Sequence, residues 1–99
     1  MIVIFTGAAE TNLEEMGDHI ARNNPARART FVREFEECFF ALARVPHASA
    51  LLQGHEHAGI RRQPHGNYLI RYRVVQDRIE ILRIVTGARD DEALLFSEE

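Results

Sequence analysis

All twelve basic residues of this 99-residue chain are arginine, and seven of them fall between Arg61 and Arg89. A guanidinium is a planar fork that grips carboxylate or phosphate oxygens two at a time. Such crowding is compatible with either an acidic protein partner or nucleic acid. Arg71 and Arg73 stand two apart in the alternating run Tyr68 to Val75, and Arg83 lies inside the apolar run Ile79 to Val85. In a strand, a spacing of two puts side chains on one face. Arg71, Arg73 and Arg83 are therefore expected to share a surface with Leu69, Ile81 and Val85, with Arg61 and Arg62 nearby. Arginine beside exposed aliphatics is the make-up of an interface, and an acidic, partly hydrophobic peptide would satisfy both. The plainer alternative is a solvated sheet face kept soluble by charge.

Other chemistry is thinly represented. His47, His55, His57 and His65 cluster in and just after one loop. His55-Glu56-His57 could offer two imidazoles to a metal, but the i, i+4 spacing of a helical zinc pair is absent; a polar loop accounts for it better. His65 beside Arg61 could act as a general base in phosphodiester chemistry, or be a plain turn residue after Pro64. Cys38 falls on an apolar stripe and reads as core. No nucleophile elbow, phosphate-cradling glycine loop or dinucleotide fingerprint is present, and Glu98 with Glu99 reads as a frayed end. No cofactor or metal is expected.

The elements that must position these residues are legible. Ile2 to Thr6 reads as a short buried strand ended by Gly7. Leu13, Met16, Gly17, Ile20 and Ala21 recur with helical spacing, with Thr11 and Glu14 as a capping box or a start nearer Ala9. Asn23-Asn24-Pro25 breaks the chain, with Asn24 as N-cap and Pro25 in the first helical position. The second helix carries Ala28, Phe31, Val32, Phe35, Cys38, Phe39, Leu42 and Ala43 on one face, ending at Pro46. His47 to Gly59 is a loop. Ile60 to Gln63 is a short strand, His65 to Asn67 a turn, and Tyr68 to Val75 and Ile79 to Val85 an antiparallel hairpin about Gln76-Asp77-Arg78. The order β-α-α-β-β-β predicts an α+β fold, an antiparallel sheet with a two-helix hairpin packed on one face. Tyr68, Ile70, Tyr72 and Val74 should pack under the helices; in the last strand the matching choice buries Leu82 and Ile84 and turns Ile81, Arg83 and Val85 outward.

Length allows one domain, residues 1–99. One cysteine rules out an internal disulfide and a four-cysteine zinc site. No signal-peptide pattern opens the sequence and no apolar run approaches the ~20 residues that span a bilayer. A cytoplasmic protein without membrane contact is expected. The net charge of −3 conceals an asymmetry: the last ten residues, Asp90 to Glu99, hold five acids and no base.

Four segments resemble the RelE/ParE toxin superfamily. Leu13-Glu14-Glu15-Met16-Gly17-Asp18-His19-Ile20-Ala21 is similar to its "DLEEI-x-DYIA" signature, and Asn23-Asn24-Pro25-Ala26-Arg27-Ala28 to its "NP-x-AA" link. Tyr68 to Val74 resembles "YLI-x-YRV", and Ile81 to Asp90 resembles "ILRVLHGARD". The match is collinear over essentially the whole chain. It implies the same β-α-α-β-β-β fold and a cognate antitoxin whose C-terminal segment wraps the toxin. Operator DNA would then be bound only through the antitoxin. RelE-like members of the superfamily cleave mRNA in the ribosome with basic residues and a late histidine or tyrosine; ParE-like members poison DNA gyrase without them. Here Thr86 replaces the histidine of "HGARD", no tyrosine follows Tyr72, and the acidic end would repel mRNA phosphates. The expectation is a ParE-like gyrase inhibitor that is not an enzyme. Its partner-binding residues would be Arg61, Arg62, Leu69, Arg71, Arg73, Ile81, Arg83 and Arg89. The alternatives are a RelE-like mRNA endoribonuclease using Arg61, His65 and Arg83, and a non-toxic relic kept as an antitoxin-binding module.

Overall fold

A single residue, Asn24, separates the two helices of the computed structural model, which describes residues 1–86. Helix α1 spans Gly7–Asn23 and α2 spans Pro25–Arg44. The Asn24 amide donates to the Ile20 carbonyl at 2.7 Å, closing α1, while its Oδ1 accepts from the Arg27 amide at 3.1 Å, opening α2. Pro25 takes the first position of α2, where no backbone donor is required. The other end of α1 departs from expectation: its cap is Thr6, not Thr11 with Glu14. Thr6 Oγ1 accepts from the Ala9 amide at 3.2 Å and donates to the Leu82 carbonyl at 2.8 Å. One hydroxyl thus caps the helix and ties it to a strand 76 residues away.

Four strands follow the expected order: β1 (Ile2–Phe5), β2 (Arg61–His65), β3 (Tyr68–Val75) and β4 (Arg78–Thr86). They lie side by side as β1-β4-β3-β2. β2, β3 and β4 form an antiparallel meander, but β1 pairs with β4 in parallel, so the sheet is mixed. A parallel neighbour requires a long crossover, and the helix hairpin belongs to it. His65 lies within β2 rather than in the turn, which is the two-residue Gly66-Asn67; Gly66 has φ +60°, the left-handed conformation such a turn demands. Before β2, a single 3₁₀ turn covers Glu56–Ala58, and Leu51 bridges Arg61 on the outer margin of the sheet.

The core lies between sheet and helices. Phe31, Phe35, Phe39 and Leu42 of α2 and Ala9 of α1 meet Ile70, Tyr72, Ile79, Ile81 and Ile84. Full burial of each such large side chain contributes about 1.5–3 kcal/mol. The phenylalanines interlock, with Phe31–Phe35 and Phe5–Phe39 centroids each 4.9 Å apart. Tyr72 is fully buried, and its hydroxyl donates to the Pro46 carbonyl at 2.8 Å, so burial leaves it satisfied.

A β-bulge corrects the sequence reading of β4. Arg71 faces Arg83 across the ladder, yet the next residue, Tyr72, faces Ile81, leaving Leu82 as the extra residue. Ile79, Ile81 and Ile84 therefore all enter the core, which strict alternation forbids, and Leu82 is only half-buried. Ile81 belongs to the helix side, not to the open face expected of it. Arg83 and Val85 do turn away from the helices. Among the described residues, no helix is long and apolar enough to cross a membrane.

Candidate partner-binding surface

Residues directly opposite in a ladder share a face, so the register builds the surface opposite the helices row by row. Arg62 of β2, Arg71 of β3 and Arg83 of β4 form one row across three adjacent strands. Pro64, Leu69 and Val85 form the next row. Beyond the bulge, Arg73 faces Glu80. The expectation that Arg71, Arg73 and Arg83 lie on one side of the sheet holds, and Arg62 completes their row.

Exposure varies sharply along these rows. Arg71 is only 3% exposed, Leu69 2% and Val85 4%. Leu69 and Arg71 are thus covered, contrary to the reading of them as open positions. Leu52, one residue past the Leu51–Arg61 bridge and so turned to the side opposite Arg61, is also buried. Arg73, by contrast, is half-exposed and pairs with Glu80, Nε to Oε1 2.9 Å, while Arg78 Nη2 reaches Glu80 Oε2 at 3.5 Å. The Arg73 hydrogen bond, reinforced by Arg78, holds the Glu80 carboxyl below the usual carboxylate range.

Arg61, one of the two arginines expected near that face, and His65, grouped with Arg83 only in the endoribonuclease alternative, are elsewhere. Arg61 is the ladder partner of Tyr72 and so lies on the helix side. Its Nη1 donates to the Ser49 carbonyl at 2.7 Å and the His47 carbonyl at 3.3 Å, pinning the segment that leaves α2. His65, opposite Tyr68, is on the helix side too, its ring edge-on to Phe35 at 4.6 Å. Arg61 and His65 thus stand on one side of the sheet and Arg83 on the other, and the three converge on no common point. The reason is register: β2 pairs so that its odd-numbered residues face the core. Arg89 lies outside the described residues.

The remaining candidates settle into ordinary places. Cys38 packs at the edge of the core, and burial pushes its thiol up, away from nucleophilic use. His55, just before the 3₁₀ turn, and His57 within it stack at 6.3 Å, and no group of three metal-capable side chains occurs among the described residues.

A second surface escaped the sequence reading. Val32, placed on the core stripe by its spacing, is 49% exposed, and Phe40 is 67% exposed. With Val3, Phe5, Leu13 and Phe39 they line an almost wholly apolar groove of about 250 Å³ between the helices and β1. β1 is the border strand on that side, and its Ile2 and Ile4 are exposed as well. The usable signal was the excess of apolar residues on α2: Val32 and Phe40 widen the stripe beyond what one sheet can cover.

A family model described as the ParE toxin of the type II toxin–antitoxin system parDE matches residues 3–91. Among solved structures, the chain is similar to one described as a chromosomal ParDE toxin–antitoxin system from P. aeruginosa. The TM-score is 0.73 and the identity 26%, over 88% of this chain and 96% of that one. It is also similar to a chain of the toxin–antitoxin complex RelBE2 from Mycobacterium tuberculosis, with a TM-score of 0.59 and 26% identity over 86% of this chain and 95% of that one. No curated protein sequence matches.

Proposed function

Because the chain belongs to the ParE toxin family of type II toxin–antitoxin systems, we propose that it inhibits DNA gyrase by protein–protein contact and performs no catalysis. The observation that carries this reading is the division of Arg61 and His65 from Arg83 by the thickness of the sheet. Cleavage of a phosphodiester needs a base and a charge-stabilising group on one reacting centre, and loss of the acid or base typically costs 10²–10⁴-fold in rate. Arg61 is engaged by two backbone carbonyls and His65 by Phe35, so both have structural work on the helix side.

A cognate antitoxin fits both surfaces. An acidic C-terminal segment would meet Arg62 and Arg83, which flank the buried Arg71, and an apolar helix face would fill the groove around Val32 and Phe40. Operator DNA would be reached through the antitoxin alone, in the cytoplasm. Purified chain should stabilise gyrase-dependent DNA cleavage, and induced expression should cause filamentation with DNA-damage signalling. Translational arrest with mRNA cut at the ribosomal A site, and no effect on gyrase, would overturn the proposal in favour of the endoribonuclease. An absence of any toxicity with antitoxin binding intact would leave the binding-module reading.

A further inference from the structure

We propose that the outer edge of β1 and the apolar groove beside it form a self-association surface, at which two copies of the chain pair antiparallel, β1 to β1. The inference goes beyond the gyrase reading and does not depend on it.

The two edges of the sheet differ in what guards them. β2, at one end, carries Arg61, Arg62 and Pro64, and Leu51 bridges its outer side. Charge, proline and a covering segment are the usual means of blunting an edge. β1, at the other end, reads Ile-Val-Ile-Phe and pairs with β4 alone among the described residues. One bond fixes which of its backbone groups look outward. The Thr6 amide donates to the Ile81 carbonyl at 3.1 Å, and successive residues of a strand bond to alternate sides. Ile4 therefore bonds toward β4, and Val3 and Phe5 turn their N–H and C=O groups away from the sheet.

Side chains select the occupant. Ile2 and Ile4 lie opposite Arg78 and Glu80 on the face away from the helices, 64% and 42% exposed. Val3 and Phe5 point to the other face, where they line the groove with Val32 and Phe40. A strand laid along this edge must be apolar on both faces. β1 itself is the one described strand that holds no charged residue. With a two-fold axis passing beside Ile4, Val3 of each copy exchanges backbone hydrogen bonds with Phe5 of the other, and every outward group is used. Ile4 meets Ile4 of the second copy, their Cα atoms about 4.5 Å apart.

The helices obey the same symmetry. Arg29, Arg33, Glu36 and Phe40 follow one another at helical spacing along α2, and Glu36 and Phe40 border the groove. An axis perpendicular to the sheet sets the two α2 helices antiparallel. Arg29 and Arg33 of each copy then approach Glu36 and Glu37 of the other, whereas parallel helices would set like charges together. A four-residue strand and one helix flank fall short of the roughly 800 Å² per partner of a standard interface, which sets the dissociation constant on the order of 10 µM.

The test uses the full chain alone. Sedimentation equilibrium over about 1–200 µM should show a monomer–dimer equilibrium. Amide hydrogen exchange at Val3 and Phe5 should slow as concentration rises, and far less at Ile4, whose amide is already bonded to β4. Phe40→Glu and Ile4→Lys should each weaken dimerisation at least about tenfold. Arg33→Glu should weaken it too, and Glu36→Arg in the same chain should restore it. Leu51→Lys, on the β2 edge, should leave it unchanged. Should Ile4→Lys fail to fold, the exchange of Val3 and Phe5 in the unsubstituted chain carries the test. A monomer at every concentration, or a dimer indifferent to Phe40→Glu, would overturn the proposal. So would a monomeric chain in which Phe40→Glu weakens only antitoxin binding, which assigns the groove to the antitoxin alone.

Discussion

The two faces of one sheet are held by different forces, although their residues alternate along the same strands. Beneath the helices, Ile70, Tyr72, Ile79, Ile81 and Ile84 pack against the phenylalanines of α2. On the reverse, Arg62, Arg71 and Arg83 form a row beside Leu69 and Val85, and Glu80 ties Arg73 and Arg78 together. Dispersion and exclusion of water dominate the first and are nearly indifferent to salt. Charge dominates the second, so it answers to salt, acid and anionic partners. The division separates the part that makes the fold from the part that can exchange partners.

Substitutions can break that division or sharpen it. Phe35→Ala strikes the helix side, where the ring touches Phe31, Phe39, His65 and Tyr68, and should cost about 3–5 kcal/mol of stability in denaturant unfolding. A loss below about 1 kcal/mol would mean that the ring is not part of the framework. Arg83→Ala tests the reverse face. Affinity for the antitoxin should fall by about 2 kcal/mol or more, while stability changes by less than about 1 kcal/mol. Equal losses in both measurements would erase the distinction between the faces. Thr6→Val acts on the seam between helix and sheet. It removes the α1 cap and the bond to the Leu82 carbonyl, for an expected cost of about 1–2 kcal/mol in thermal or denaturant unfolding.

The smallest effect concerns acid. Glu80 has a depressed carboxyl pKa in the folded chain, so its contribution is complete above the unfolded value, about 4.3. It is lost as pH falls through the lower folded value. Glu80→Gln should flatten the acid side of the stability profile and leave the neutral side nearly level with its own plateau. A profile of unchanged shape would show that the Arg73–Glu80 pair does not couple to folding.

The order of elements was legible because each is announced locally. Asn24-Pro25 separates the helices through a side-chain cap and a ring that needs no amide donor, and Tyr68 to Val75 alternates cleanly, so its faces could be assigned. What could not be read depended on distant partners. An alternating string does not reveal an inserted residue, so the bulge at Leu82 hid the burial of Ile81. The Thr6 cap is fixed by a carbonyl 76 residues on, beyond any local pattern, and β1 finds its parallel neighbour only through the completed crossover. β2 reads Arg-Arg-Gln-Pro-His, with no apolar alternation to orient it. The alternative endoribonuclease set of Arg61, His65 and Arg83 is consequently one that register divides, with Arg83 on the other face from the first two.

The bulge has an evolutionary corollary. Pairing skips Leu82, so loss of that one codon would leave Ile81, Arg83, Ile84 and Val85 pointing as they do now, at the cost of the carbonyl that the Thr6 hydroxyl holds. Excision of a residue from the middle of β3 would instead invert everything downstream, driving guanidinium into hydrocarbon. Length variation among descendants of this sequence should therefore be better tolerated at position 82 than in the neighbouring strand.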